Sequence, residues 1–80
     1  MEKIELREFF VENVTCNLCV KRITKYVSEI SEIQEIIPDY NKKVAKVILK
    51  HQKSKEEIEK ALKKASKSTF GLHNYKLLEK

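Results

Sequence analysis

The spacing of hydrophobic positions changes several times along the chain, and each change marks a predicted element. Residues Ile4–Val11 carry β-branched and aromatic side chains among charged ones, which predicts a first strand. The apolar positions change parity between Leu6 and Phe9, and a β-bulge would explain that change. From about Asn17 the apolar residues recur at steps of three and four, so a helix is predicted that ends near Ser31.

A hairpin is predicted in the middle of the chain. Two short β-branched runs, Ile33–Ile37 and Val44–Leu49, lie on either side of residues 39–42, whose side chains are typical of a turn. Pro38 marks an edge strand or the end of a strand, because proline has no amide proton to donate to a ladder.

A second helix and a last strand complete the pattern. Ser54 and Glu57 have the spacing of a capping box, which opens a helix with one apolar face. Residues 72–78 then predict the last strand. The order β-α-β-β-α-β is that of an α+β, ferredoxin-like sandwich, in which two helices cover one face of a four-stranded antiparallel sheet. The predicted core contains Phe9, Val11, Ile23, Val27, Ile30, Ile58 and Leu62.

Length and charge narrow the class of protein. The chain has 80 residues, which predicts a single domain over residues 1–80. Charged residues make up 36% of the chain and no apolar stretch approaches the length of a membrane span, so no span is expected. The amino-terminal sequence lacks the apolar core of a signal peptide, which favours a cytoplasmic location. No Ser/His/Asp set, phosphate loop or carboxylate pair is evident in the sequence, so an enzyme is not predicted.

The two cysteines of the chain lie together, three positions apart, where the first strand gives way to the first helix. Cys16 is expected in the loop and Cys19 in the first turn of the helix. The unpaired amides and the positive end of the helix dipole lie at that point, and both favour thiolate over thiol. Two soft thiolates without a third ligand nearby suit Cu(I).

Other metals remain open at this stage. Zn(II) prefers four ligands, so here it would need water or a second molecule to complete its shell. His51 and His73 are distant in sequence from the cysteines and are interpreted as surface or strand-end histidines. Hg(II) and Cd(II) also bind thiolates, and the sequence does not choose among these ions.

The chain resembles a heavy-metal-associated domain, the fold of copper chaperones and of the cytosolic metal-binding domains of copper-transporting ATPases. The resemblance covers nearly all of the chain and rests on the segments EFFVENVTCNLC, CVKRITKYVSEI, PDYNKKV and EEIEKALKKASK. The family usually reads Gly-Met-Thr-Cys-x-x-Cys, where residues 13–19 of this chain read Asn-Val-Thr-Cys-Asn-Leu-Cys. The threonine and both cysteines match, whereas the glycine and the methionine are replaced.

The resemblance implies a role for each residue of this loop. Cys16 and Cys19 would hold the metal ion, most simply Cu(I), and release it to a partner by exchange of thiolate ligands. Thr15 would lie beside the two sulfurs. Val14 would pack under the loop in place of the family's methionine. Neither cysteine is expected to be needed for the core, so a variant with serine at both positions is expected to keep the fold.

The family also places one residue near the end of the second helix close to the metal, commonly tyrosine in bacterial members and lysine in eukaryotic chaperones. Lys67 is the expected counterpart, with Phe70 as the alternative if the loop is longer. The family's familiar Gly-Tyr ending is missing from this chain. An ammonium group there would offset the net negative charge of Cu(I) with two thiolates. Lys67 also fits the solvated lysine stripe of an amphipathic helix. The sequence does not decide whether Lys67 approaches the metal or is an ordinary surface lysine.

The resemblance implies a metal-transporting ATPase or a related metal-binding domain as the partner. Lys21, Arg22 and Lys25 could dock an acidic surface of that partner, or they could form an ordinary solvated face. The protein is expected to be a monomer, with a metal-bridged dimer as an alternative.

Two other function classes compete with a metal carrier. A Cys-x-x-Cys pair at the start of a helix also suits a dithiol redox module. A thioredoxin-like fold needs a proline facing the disulfide, however, and the only proline of this chain ends a predicted strand elsewhere. In an interaction domain the cysteines would be incidental. The net charge is +5, but the lysines are interspersed with glutamates and are not clustered with aromatic residues, so nucleic acid is not expected as a partner.

Overall fold

The first strand lies between the third and the fourth strands of a four-stranded antiparallel sheet, and the second strand lies at the edge beside the third. The computed structural model describes residues 5–78, so the predicted start of the first strand at Ile4 lies outside the described residues. The α+β, ferredoxin-like sandwich predicted from the sequence is confirmed. Its elements are β1 (Glu5–Glu12), α1 (Asn17–Ser28), β2 (Ile33–Asp39), β3 (Val44–Ser54), α2 (Lys55–Lys67) and β4 (Lys76–Leu78).

Two local features of the strands were predicted from the sequence. The pairing of β1 with β3 shifts register between Leu6 and Glu8, which is where the apolar parity changes. Pro38 lies within β2 and pairs with Ala45, and β2 is an edge strand. An edge position tolerates proline because the missing amide proton has no neighbour strand on the outer side.

Four predicted boundaries were wrong. The second strand continues through Pro38 to Asp39 and does not end at Ile37. The first helix ends at Ser28 and not near Ser31, where the amide of Ile30 bonds back only three residues, to the carbonyl of Val27 at 3.1 Å, and so departs from the α-helical pattern. The third strand continues past Leu49 to Ser54, and its polar residues give no hydrophobic signal. It therefore contains His51, which had been placed after this strand.

The last strand begins at Lys76 and not at residue 72. Phe70 and Gly71 have φ angles of 56° and 85°, in the left-handed region, which a strand cannot accommodate. The turn is held by side chains: Thr69 Oγ1 accepts from the amide of His73 at 3.0 Å, and Ser66 Oγ accepts from the amide of Tyr75 at 2.8 Å. His73 therefore precedes the last strand and does not begin it.

The helices cover one face of the sheet through residues at helical spacing. Cys19, Ile23 and Val27 are buried on α1, and α2 begins where Ser54 Oγ accepts from the amide of Glu57 at 3.3 Å. All the predicted core residues are buried except Ile30, which is partly buried against the core. Neither helix has the length and apolarity to cross a bilayer, and no other helix occurs among the described residues. The buried residues are Phe9, Val11, Val14, Cys19, Ile23, Val27, Ala45, Val47, Leu49, Ile58, Ala61, Leu62, Ala65 and Tyr75.

Cys19 belongs to this core, with an exposed fraction of 0%. The expectation that neither cysteine contributes to the core was therefore wrong. The helical period explains its burial, because Cys19, Ile23 and Val27 follow one another at steps of four on the face of α1 that meets the sheet. A serine at this position would lose apolar packing, so the variant with two serines is expected to fold with reduced stability.

Candidate metal centre

The loop before α1 is anchored on both sides. Asn13 has a φ angle of 69°, a conformation that glycine adopts freely and that asparagine tolerates better than most residues. Its Nδ2 donates to the carbonyl oxygen of Asn74 at 2.6 Å, and the amide of Val14 donates to the carbonyl of Lys43 at 3.0 Å. Val14 is fully buried. Asparagine and valine thus meet the conformational and packing demands at the two positions where the family has glycine and methionine.

Substitution of Asn13 by alanine should therefore destabilise the loop. Alanine pays about 1 kcal/mol or more for the left-handed conformation and also loses the bond to Asn74. Asn13→Gly is the matched control, because it loses the same bond but keeps the conformation. Urea unfolding of the reduced protein should give a lower midpoint for the alanine variant than for the glycine variant. Equal midpoints would show that the backbone conformation at residue 13 carries no cost.

The two cysteines differ in exposure although their sulfurs face each other. Cys16 is the N-cap residue of α1, in an extended conformation, and its carbonyl accepts from the amide of Cys19 at 3.1 Å. Its side chain is exposed, whereas that of Cys19 is buried. Both thiols are free, and the two Sγ atoms are 3.7 Å apart. With metal–sulfur bonds of about 2.3 Å, two sulfurs on one ion can be at most about 4.6 Å apart, so this separation lets both bind the same ion.

Cys19 lies among hydrogen-bond donors. Thr15 Oγ1 is 3.8 Å from its sulfur, and the hydroxyl of Tyr75 also hydrogen-bonds to it. Tyr75 is almost completely buried, and its oxygen accepts from Arg22 Nη1 at 3.4 Å. The ring of His73 stacks on that of Tyr75, with centroids 5.7 Å apart and planes 9° apart. The cysteine pair is thus backed by a tyrosine, an arginine and a threonine.

These contacts change the acidity of both groups. Burial alone would raise the pKa of Cys19, but hydrogen bonds from Tyr75, from Thr15 and from Cys16 outweigh burial and lower the pKa from 9.0 to about 7. Burial and the hydrogen bond to Cys19 raise the pKa of Tyr75 to about 12, against the opposing effect of Arg22. Near neutral pH, Tyr75 therefore stays protonated, and its hydroxyl can donate a hydrogen bond to a Cys19 thiolate.

Replacement of Tyr75 by phenylalanine should raise the pKa of Cys19 by about one unit, since a hydrogen bond to a charged group contributes about 1.5–3 kcal/mol and part of it is replaced by water. Ultraviolet absorbance of the thiolate, measured against pH in the Cys16→Ser background, reports this pKa without interference from the second sulfur. The thiolate signal should appear at higher pH in the phenylalanine variant. An unchanged titration curve would show that Tyr75 does not stabilise the thiolate.

The lowered pKa also predicts how stability depends on pH. Cys19 ionises more easily in the folded chain than in the unfolded one, where its pKa has the ordinary value of 9.0. The stabilisation is thus fully present above about pH 9 and is lost as the pH falls through about 7. The metal-free, reduced protein should gain stability between these two pH values, and Cys19→Ala should remove that gain in urea unfolding.

Tyr75 is a candidate site residue that the sequence analysis did not identify. The alternative counterpart, Phe70, is 97% exposed in the turn after α2 and does not pack against the sulfurs. Lys67 is exposed in the last turn of α2, and its approach to the metal stays a prediction. A tyrosine just before the apolar residues of β4 was the available signal, but seven residues, 68–74, separate it from the helix at whose end the counterpart was sought.

Within the described part of the chain, the two sulfurs are the metal donors that lie together at this loop. Among residues 5–78, no cluster of three or more His, Cys, Asp or Glu side chains has the geometry to hold a metal ion. His73 is engaged in stacking with Tyr75, and His51 lies in β3. The described part of the chain therefore offers a site of low coordination number.

The fold and the paired sulfurs define a class of protein. The family model of the heavy-metal-associated domain matches residues 8–68, and the chain belongs to that family. The solution structure of apo-CopP from Helicobacter pylori is similar to this chain, with 27% sequence identity and a TM-score of 0.58 over 94% of this chain and 100% of that one. No curated protein sequence matches the chain.

Proposed function

We propose that this protein binds one Cu(I) ion through the thiolates of Cys16 and Cys19 and passes it to a partner protein. The observation that carries the proposal is the pair of free sulfurs 3.7 Å apart at the start of α1. Membership of the heavy-metal-associated family supports a metal as the cargo. The thiolate form of Cys19, favoured from about pH 7 upwards, is the form that binds a metal.

Copper(I) is the ion that suits this donor set best. Two soft sulfurs satisfy the low coordination number that Cu(I) accepts, whereas Zn(II) in proteins is almost always bound by four ligands. The described residues provide no third side chain of the kind that Zn(II) uses. Zn(II), Cd(II) and Hg(II) remain the alternatives that a competition experiment must address.

The difference in exposure between the two sulfurs suggests the order of transfer. A partner thiolate reaches the ion from the side of Cys16, which is exposed, and forms a third copper–sulfur bond. The bond to Cys16 then breaks, a second thiolate of the partner binds the ion, and the bond to Cys19, the buried sulfur, breaks last. Copper stays in the +1 state throughout, and no electron is transferred. The barrier stays low because each bond is replaced before the next is lost.

The surroundings of the loop fit docking of a protein partner. Leu18, between the two cysteines, is 61% exposed, and Leu72, three residues before Tyr75, is 83% exposed. Lys21 and Lys25 are exposed on α1. Apolar contacts framed by lysines suit a partner with an acidic rim, and we propose a metal-transporting ATPase or a related metal-binding domain in this role.

A dithiol redox module is less well supported. Attack on an external disulfide needs an exposed thiolate, whereas the cysteine with the lowered pKa, Cys19, has a buried sulfur. The ferredoxin-like sheet also differs from the fold expected for thioredoxin-type chemistry. The role of a binding module, without catalysis, therefore fits the structure better.

Competition for Cu(I) tests the proposal. The reduced protein, under anaerobic conditions, is titrated into a coloured Cu(I)–chelator complex, and Zn(II) is titrated separately with a zinc indicator. We expect one Cu(I) per chain, bound more tightly than Zn(II), and loss of binding in the variant with serine at both cysteines. Failure of the wild-type protein to remove copper from a weak chelator would overturn the proposal, and so would tighter binding of Zn(II).

A further inference from the structure

We propose that Arg22 is a positioning residue. It orients the hydroxyl group of Tyr75 so that its proton points to the sulfur of Cys19, and it thereby sets how tightly the site holds Cu(I). The inference rests on the proposed function and adds a residue to its site. In the sequence, Arg22 was grouped with Lys21 and Lys25 as a docking cation. Its side chain instead donates to the hydroxyl of the buried Tyr75, beside the loop that precedes α1.

Arg22 connects two elements that are far apart in sequence. It lies on α1, three positions after Cys19, and Tyr75 lies just before β4. Arg22 Nη1 is 3.4 Å from the hydroxyl oxygen of Tyr75. Tyr75 is 3% exposed, so water has little access to that oxygen. Arginine, tyrosine and cysteine form a chain that ends at the buried sulfur.

The direction of the hydrogen bonds in this chain follows from the chemistry of its members. A guanidinium group has N–H donors and no acceptor, so Tyr75 can only accept from Arg22. The phenol has one proton, which must then go to another acceptor. The sulfur of Cys19 is that acceptor, and it accepts most strongly as a thiolate, whether free or bound to copper. Arg22 therefore excludes the orientation in which the hydroxyl points away from the sulfur.

Charge adds to this effect. Cu(I) with two thiolates carries one net negative charge, which the cation of Arg22 offsets. The guanidinium keeps its charge at any working pH. The hydrogen bond to Tyr75 is the largest influence and raises the pKa of Arg22; burial opposes it, and the electrostatic effects of Tyr75, Cys19 and Cys16 add smaller increases. This is the role that the sequence analysis gave to Lys67.

The test compares Cu(I) affinities by chelator competition in a set of full-length variants. Arg22→Gln removes the charge and most of the donors, and Arg22→Lys keeps the charge and a donor. Lys25→Gln is the matched control, because it removes one positive charge from the same helix and its ammonium lies 5.4 Å from the ring of Tyr26, away from Tyr75. Each variant is also made in the Tyr75→Phe background, and thermal midpoints report folding.

We expect Arg22→Gln to weaken Cu(I) binding about tenfold, and Lys25→Gln to stay within about twofold of the wild type. Arg22→Lys should recover most of the loss. In the Tyr75→Phe background, Arg22→Gln should cost less than about threefold, because the hydroxyl through which it acts is gone. If Arg22 only joined α1 to the segment before β4, Arg22→Gln would shift the thermal midpoint and leave the Cu(I) affinity of the folded protein unchanged.

Three results would overturn the inference: an affinity of Arg22→Gln equal to that of Lys25→Gln, a full loss that persists without the Tyr75 hydroxyl, or a change in thermal midpoint alone. If Arg22→Gln does not fold, Arg22→Lys provides the same test when it is compared in the wild-type and the Tyr75→Phe backgrounds. The lysine ammonium lies in a different place from the guanidinium, so it should weaken Cu(I) binding only when the Tyr75 hydroxyl is present. A wild-type protein that binds no Cu(I) would instead refute the proposed function, before any variant is compared.

Discussion

Replacing Cys16 by serine is expected to weaken Cu(I) binding by about a hundredfold or more and to leave the fold and its stability nearly unchanged. Structural zinc sites with four ligands contribute about 10–16 kcal/mol, or about 3 kcal/mol for each ligand, and a loss of that size corresponds to about a hundredfold in affinity. Cys16 is exposed, so its side chain adds little to the packing of the core.

Two measurements check this prediction, chelator competition for affinity and urea unfolding for stability. Asn17→Ser is a matched control, because it places serine at the neighbouring exposed position and leaves both sulfurs intact. A Cys16→Ser variant that retains wild-type affinity would show that Cys16 is not a ligand. A large fall in its unfolding midpoint would show that the exposed cysteine has a structural role.

Replacing Ile23 by alanine should have the largest effect on stability, a loss of about 2–5 kcal/mol. Ile23 is fully buried and lies one turn after Cys19, where α1 packs on the sheet. A domain of this size has a total stability of about 4–12 kcal/mol, so a loss of this size is a large share of the total and the metal-free variant should unfold at a clearly lower temperature than the wild type. Thermal unfolding followed by circular dichroism measures the effect, with exposed Leu18→Ala on the same helix as the control.

Saturating Cu(I) should raise the unfolding midpoint of Ile23→Ala, because a ligand that binds the folded state stabilises it in proportion to the logarithm of its concentration over its dissociation constant. This rescue requires Cys16 and Cys19. No rise in midpoint on addition of Cu(I) would contradict a metal site built on the folded loop, and a wild-type midpoint for the metal-free variant would contradict the assigned core.

The order of the elements could be predicted from the sequence because each element carries its own pattern. Hydrophobic spacing located the two helices and the hairpin, and the change of parity between Leu6 and Phe9 located the bulge of β1. Ser54 marked the start of α2 and caps it in the structure. These signals are local, so one sequence is enough to read them.

The environment of the cysteines could not be predicted in the same way, because it depends on contacts between distant segments. The amide of Tyr75 is held by Ser66, and the hydroxyl of Tyr75 meets Arg22, which lies 53 positions earlier in the chain. The turn at Phe70 and Gly71 disrupts the strand that was expected from residue 72 onwards. Asn13 shows the reverse case, since this departure from the motif has a left-handed backbone conformation that glycine also adopts freely.

The measurement that tests the account most directly is X-ray absorption at the copper edge, on the reduced protein loaded with one equivalent of Cu(I). The account predicts a Cu(I) ion with two sulfur neighbours and no nitrogen neighbour, and loss of that signal in Cys16→Ser. Three or more sulfur neighbours would indicate an ion shared between chains, as in a metal-bridged dimer. A nitrogen neighbour, or sulfur coordination that persists unchanged in Cys16→Ser, would contradict a site formed by Cys16 and Cys19.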